Sequence, residues 1–175
     1  MSGMIEAGPL PVSLAEAQAF VRIETGEEEA LLAALTRTAC AVCEQFVGGW
    51  LMQRRFESIV AGQGTWTELA VSPVVAIDRV EAVAPDGSRS ALAVGDYEID
   101  VEADGRGFVR LARGSAQRLA VGGIAGMAAE QNDVPEPLRQ GILRLVAHFF
   151  AHRDADDTPP AAVTALWKPY RAVRL

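Results

Sequence analysis

Apolar residues recur at helical spacing in two parts of this chain. Between residues 31 and 46 they form one broad face, made by Leu31, Leu32, Leu35, Ala39, Val42, Cys43 and Phe46. The later face is wider than one neighbouring helix would need, and consists of Leu138, Ile142, Leu145, Val146, Phe149 and Phe150. The pattern therefore predicts a long helix that ends at the glycine pair 48–49, and a central helix that continues to about His152.

Helix start signals precede both faces and one shorter segment. Ser13 and Glu16 fit a capping box, which predicts a short first helix over about residues 14–23. Residues 25–28 (TGEE) repeat the signature at the start of the second helix. Residues 133–137 (DVPEP) combine a capping residue, early prolines and an acid, as the first turn of a third helix does.

Short β-rich stretches separated by Gly and Pro occupy the middle of the chain. Residues 74–83 and 91–99 flank the turn sequence 85–88 (PDGS), which predicts a hairpin, and residues 108–111 predict a further strand. The glycine-rich stretch 122–127 (GGIAGM) is typical of a loop that links the sheet to the last helix.

These elements predict an α+β protein with about three main helices and a small antiparallel sheet inserted between the second and third. We expect one domain over residues 1–175, because a chain of 18.6 kDa can bury the core of one ordinary domain. Its parts are helices at 13–49, a β insertion at 51–121, a helix at 134–152 and a C-terminal tail at 161–175.

Charge and composition narrow the classes of function. The net charge of −7 has the wrong sign for neutralising phosphates, so we expect no specific nucleic-acid binding. We find no apolar run that approaches a membrane span and no secretory signal, and we expect a protein of the cytoplasm without a membrane partner.

Several short motifs, taken in order, resemble the head-to-tail connector (adaptor) family of tailed phages, in the version with a β insertion. The motifs are residues 12–17 (VSLAEA), 20–23 (FVRI), 46–49 (FVGG), 72–74 (SPV), 95–97 (GDY), 134–138 (VPEPL), 145–150 (LVAHFF) and 169–171 (PYR). They span most of the chain, and their order and spacing carry the resemblance.

The resemblance implies a structural protein with no catalytic, cofactor-binding or metal-binding residues. It implies a ring of identical subunits beneath the portal protein that receives a stopper or tail-completion protein below and lets DNA pass through its centre. The free protein can stay monomeric. Its place would be the neck of a phage, prophage or gene transfer agent particle that is assembled in the bacterial cytoplasm.

The C-terminal tail is the candidate partner interface, because aromatic residues and arginines anchor interfaces. We expect docking onto the portal or a neighbouring subunit, with Trp167 and Tyr170 as anchors and arginines paired to acidic groups. The full set is Trp167, Lys168, Tyr170, Arg171, Arg174 and Leu175. The alternative is that the tail folds back on its own subunit.

Three other groups allow rival hypotheses. His148 and His152 lie four apart on a helix, near the acids at 154, 156 and 157, and could hold a metal in a small hydrolase, although Phe149 stands where a zinc protease has Glu. Cys40 and Cys43 have redox spacing but lie inside a helix, which favours packing. The acids at 96, 98, 100, 102 and 104 should share one strand face, either solvated or bordering a DNA channel. A free-standing binding module is the remaining alternative.

Overall fold

The computed structural model describes residues 8–23, 28–152 and 158–172. These residues form an α+β fold with four α-helices and two antiparallel sheets, so the predicted class is confirmed with one more helix and one more sheet than expected. The helices are α1 (Leu14–Val21), α2 (Glu29–Val47), α3 (Glu136–Ala151) and α4 (Ala161–Trp167). The strands are β1 (Arg54–Ala61), β2 (Thr67–Glu68), β3 (Val74–Val83), β4 (Arg89–Ala91), β5 (Tyr97–Val101), β6 (Gly107–Leu111) and β7 (Arg118–Ala125).

The chain divides into two compact units. Leu10–Met52 and Ala128–Leu175 form a helical unit, and Gln53–Met127 belong to a strand unit. The strand unit overlaps the predicted β insertion at 51–121 and extends beyond it to Met127. Whether the two units act as one domain stays a prediction.

Helix α1 begins at the predicted capping box. The Glu16 amide donates to Ser13 Oγ over 3.2 Å, and the Ser13 amide donates to Glu16 Oε2 over 2.8 Å, which satisfies amides that a helix start otherwise leaves without partners. Glu16 also pairs with Arg139 of α3, whose side chain is only 15% exposed. The Ser13 amide, helped by the Arg139 charge, holds the pKa of Glu16 below its usual value. The first turn of α1 is thus tied to α3.

Helix α2 ends where the glycine pair predicts. Gly48 takes a left-handed conformation (φ 81°), and its amide donates to the Glu44 carbonyl over 2.9 Å. By length and apolar composition alone, α2 could cross a membrane, contrary to the expectation that no stretch approaches that size. Core helices of soluble proteins pass the same test, and six residues of α2 are buried in the helical unit.

The core of the helical unit lies between α2 and α3, against which α1 and α4 pack. The apolar faces predicted for the two long helices supply many of its buried members, among them Leu32, Ile142 and Leu145. Its fully buried larger side chains are Val12, Leu32, Leu51, Met52, Leu138, Ile142, Leu145, Val146 and Trp167.

Helix α4 docks on α3 through an indole placed over a glycine. Trp167 is fully buried, and its Nε1 donates to the Leu138 carbonyl over 3.3 Å. A Cβ at Gly141 would lie 2.1 Å from that nitrogen. Only glycine at position 141 therefore allows the indole to reach the α3 backbone.

The glycine-rich stretch expected to be a loop is a strand, and this is the main correction to the predicted fold. β7 lies between β1 and β3 in a four-stranded antiparallel sheet of order β1-β7-β3-β4. A Cβ at Gly123 would lie 2.0 Å from the Ala76 carbonyl oxygen on β3. The pairing of β3 with β7 is irregular next to Ala76, where the two backbones approach closely. The glycines therefore mark close backbone packing.

The expected hairpin is also shorter than predicted. The strand that follows the turn and pairs with β3 is the three-residue β4, while residues 97–101 form β5 of a separate three-stranded sheet, of order β2-β6-β5. Gly95, at φ 106°, lies in the turn between β4 and β5. After this turn the chain enters β5, which pairs with β6 of the second sheet and does not extend the hairpin.

Candidate interaction surfaces

The C-terminal tail presents a different set of residues from the one expected. Trp167 lies in the core of its own helical unit, with its ring centre 5.8 Å from that of Phe46. The structure therefore does not offer Trp167 as a surface anchor. In this respect the tail follows the alternative in which it covers its own subunit.

The exposed end of the tail is cationic. Lys168 and Arg171 are exposed, and Tyr170 is half-buried against the helical core. The Arg171 guanidinium carbon lies 5.7 Å from the centre of the Phe46 ring. Within residues 8–23, 28–152 and 158–172, neither cation makes an ion pair. Arg174 and Leu175 lie outside the described residues, so the interface hypothesis for this tail stays a prediction.

The two histidines lie at the end of α3 with their ring centres 4.6 Å apart. His152 Nδ1 is 3.0 Å from the His148 carbonyl oxygen. The described part of the chain contains no group of three His, Cys, Asp or Glu side chains able to hold a metal, and residues 154–157 lie outside it. No observation thus favours the metal-dependent hydrolase.

The two cysteines are buried packing residues, as predicted. Burial, with the Glu44 charge, raises the pKa of Cys40 to about 12. Burial likewise raises the pKa of Cys43 far above its usual value. Both stay protonated near neutral pH, whereas redox chemistry and metal binding need a thiolate.

The acidic stretch around β5 is partly neutralised by arginines of the same sheet. Glu98 pairs with Arg110, while Glu102 and Asp104 pair with Arg106. Asp100 is exposed and makes no ion pair with a described residue. Mixed charges therefore replace the uniformly acidic face that alternation suggested.

Trp66, which no sequence motif indicated, lies beside one of these ion pairs. The Arg110 guanidinium carbon lies 4.8 Å from the centre of the Trp66 ring, and its Nε and Nη2 donate to Glu98 Oε2 over 2.9 and 2.6 Å. Trp66 remains 44% exposed. A loop has no apolar periodicity from which a functional tryptophan could be predicted. The available signal was its position after Gly64 and directly before the short strand β2.

Strand register places four side chains on one face of the three-stranded sheet, and a contact adds a fifth. Glu98 lies opposite Arg110, and Asp100 lies opposite Phe108, so these four share a side of the pleat. Trp66 joins them through its contact with Arg110. We call this surface the Trp66 face, and its members are Trp66, Glu98, Asp100, Phe108 and Arg110.

Glu57 is the centre of an ion-pair network with two arginines on the four-stranded sheet. Glu57 accepts two hydrogen bonds from Arg89, over 2.7 and 2.8 Å, and one from Arg79 over 2.8 Å. The Arg89 hydrogen bonds are the main cause of the lowered pKa of Glu57. A Cβ at Gly122 would lie 3.1 Å from the Arg79 guanidinium, so glycine makes room for this network. Its arginines already have carboxylate partners within the sheet.

No protein-family model and no curated protein sequence matches the chain. Among solved structures, the chain is similar to chains of gene transfer agent (GTA) particles. It shares their fold. The matches include a chain in the neck of an empty GTA particle computed with C6 symmetry, at 24% identity, and one in the virion of a native GTA particle, at 23%. Another is in the neck of a native GTA particle computed with C12 symmetry, at 22% identity.

The likeness extends over the whole of both molecules. Each match covers 100% of this chain and 97% of the other chain, with a TM-score of 0.77. The two compact units therefore occur together in those chains as they do here. Identity below a quarter shows the shared fold and leaves the function to be inferred.

Proposed function

We propose that this chain is a structural, non-enzymatic subunit of the neck of a tailed phage or a phage-like gene transfer particle. The observation that carries the proposal is the fold shared with GTA chains over 100% of this chain and 97% of theirs. A likeness that leaves no large part of either chain unmatched favours a shared role more than a likeness confined to one unit would.

The finer role we propose is that of an adaptor ring between the portal protein and a stopper or tail-completion protein. Two of the similar structures are necks computed with C6 and C12 symmetry, which supports a subunit that acts in several copies around an axis. The order of motifs along the sequence points to the same family. Exposed cationic residues at the C-terminal end and the Trp66 face supply surfaces for such contacts.

The charge of the chain is compatible with DNA passing through the ring. A protein of net charge −7 gains little from releasing counterions on DNA, so duplex can move past it without being held. We propose location at the particle neck, assembly in the bacterial cytoplasm and no membrane partner.

Removing the gene from its phage or host genome tests this function. Electron microscopy should show DNA-filled heads and separate tails in place of complete particles, and the wild-type gene supplied in trans should restore joining. An epitope-tagged copy should label the head–tail junction. Complete particles in the deletion strain, or label confined to another part of the particle, would contradict the proposal.

A further inference from the structure

The Trp66 face has the composition of a protein-binding surface. An exposed tryptophan lies beside an arginine that is held by an ion pair to Glu98, so little side-chain freedom remains to be lost on binding. Tryptophan and arginine are enriched among the residues that dominate binding energy. Asp100 adds an exposed carboxylate without an ion-pair partner among the described residues.

The same chain carries a segment of complementary chemistry. Residues 168–171 (KPYR), near the end of the described tail, comprise two exposed cations, a proline and a half-buried tyrosine. Those cations have no carboxylate partner among the described residues, so their charges are available to a second molecule. Cations of this segment can pair with Asp100 and Glu98, and they can stack on the indole ring.

We propose that residues 168–171 of one copy dock on the Trp66 face of a second copy. The contact joins two different surfaces of identical chains, and such head-to-tail contacts close into a ring when the rotation between copies closes. The inference rests on the proposed ring function and names the surfaces that build the ring. The cations supply charge complementarity, and Trp66 supplies the apolar contact.

Charge exchange tests the contact in solution with the full-length chain. Wild type should self-associate at low salt in sedimentation velocity runs, up to the highest concentration at which it is soluble, and association should weaken as salt rises. Asp100→Lys, and separately the double change Lys168→Glu and Arg171→Glu, should each weaken association on the order of tenfold. Trp66→Ala should weaken it at least as much. Glu130→Lys, the same charge change at an exposed site elsewhere, should leave it unchanged.

Mixing the two charge variants gives the sharper result. In the Asp100→Lys variant the normal cationic tail meets a lysine at position 100 of every other copy, and in the tail variant the acidic tail meets Asp100. In a mixture, the normal tail of the Asp100→Lys chain meets the unchanged Trp66 face of the tail variant, and the tail carrying Lys168→Glu and Arg171→Glu meets the lysine of Asp100→Lys. A mixture should therefore associate where neither variant does alone, and a chain with all three changes, which has only the charge-reversed contact, should also recover association. Thermal melts confirm that each variant is folded.

Several outcomes would overturn the inference. These are a wild type that stays monomeric at every concentration, association unaffected by the charge changes, or a mixture that does not associate. Binding of the wild-type tail to another particle protein, without self-association, would assign the segment to that partner instead. Each result leaves the neck function to be judged by the gene deletion, so the two proposals can fail separately.

Discussion

The docking of α4 on α3 can be tested by changing Gly141 to Ala. The new Cβ would lie 2.1 Å from Trp167 Nε1, 2.8 Å from Cε2 and 2.9 Å from Cδ1. The indole is fully buried and cannot swing into solvent without leaving the core. It must shift and strain the hydrogen bond from Nε1 to the Leu138 carbonyl.

The change in stability combines two destabilising contributions with one stabilising contribution. Overpacking a well-packed core costs about 1–3 kcal/mol, and a buried N–H that loses its acceptor costs about 1–3 kcal/mol. Replacing glycine by alanine inside a helix contributes roughly 0.8–1 kcal/mol of stability. We expect Gly141→Ala to lower the free energy of unfolding by about 2–3 kcal/mol.

A double-mutant cycle separates the clash from a general effect on the helix. Trp167→Ala alone should cost about 3–5 kcal/mol. In that background the obstacle is gone, so Gly141→Ala should become neutral or stabilising by up to about 1 kcal/mol. The change of sign is the expected signature of a direct contact.

Urea unfolding followed by far-UV circular dichroism measures the stability of the four chains in this cycle. A Gly141→Ala chain as stable as wild type would refute the docking of α4. So would an equal loss in both backgrounds, because the cost would then be independent of the indole.

Three further predictions follow from the described contacts. Gly123→Ala should destabilise the strand unit by at least about 2–3 kcal/mol in thermal unfolding, because its Cβ meets the Ala76 carbonyl oxygen, whereas Gly64→Ala, with only one atom within 4 Å, should be nearly neutral. The lowered pKa of Glu16 means that its contribution to stability is present above the unfolded pKa and is lost as pH falls through the folded value. Glu16→Gln should therefore be less stable than wild type at neutral pH, with a difference that shrinks in acid. Both cysteines should resist a thiol reagent at neutral pH until the chain unfolds, and rapid labelling of the native protein would contradict their burial.

Local sequence signals determined where α1 begins and where α2 ends. Ser13 and Glu16 satisfy helix amides within one turn, and Gly48 ends α2 by its own left-handed conformation, so both boundaries could be predicted without knowing the fold. The apolar periods of α2 and α3 likewise identified part of the helical core, including Leu32, Ile142 and Leu145. These features depend on residues a few positions apart.

Only the tertiary structure decided the role of residues whose partners are distant in sequence. From the sequence alone, Gly123 suggests a loop, but in the fold its backbone packs closely against Ala76 of another strand. Trp167 likewise suggests a surface anchor, but Gly141, distant in the sequence, leaves the space in which its indole is buried. The same holds for the Trp66 face, where a loop tryptophan, a β6 arginine and a β5 carboxylate meet through strand pairing. The identity of a glycine or an aromatic residue does not reveal its surroundings, because close backbone approach and burial depend on which elements pack together.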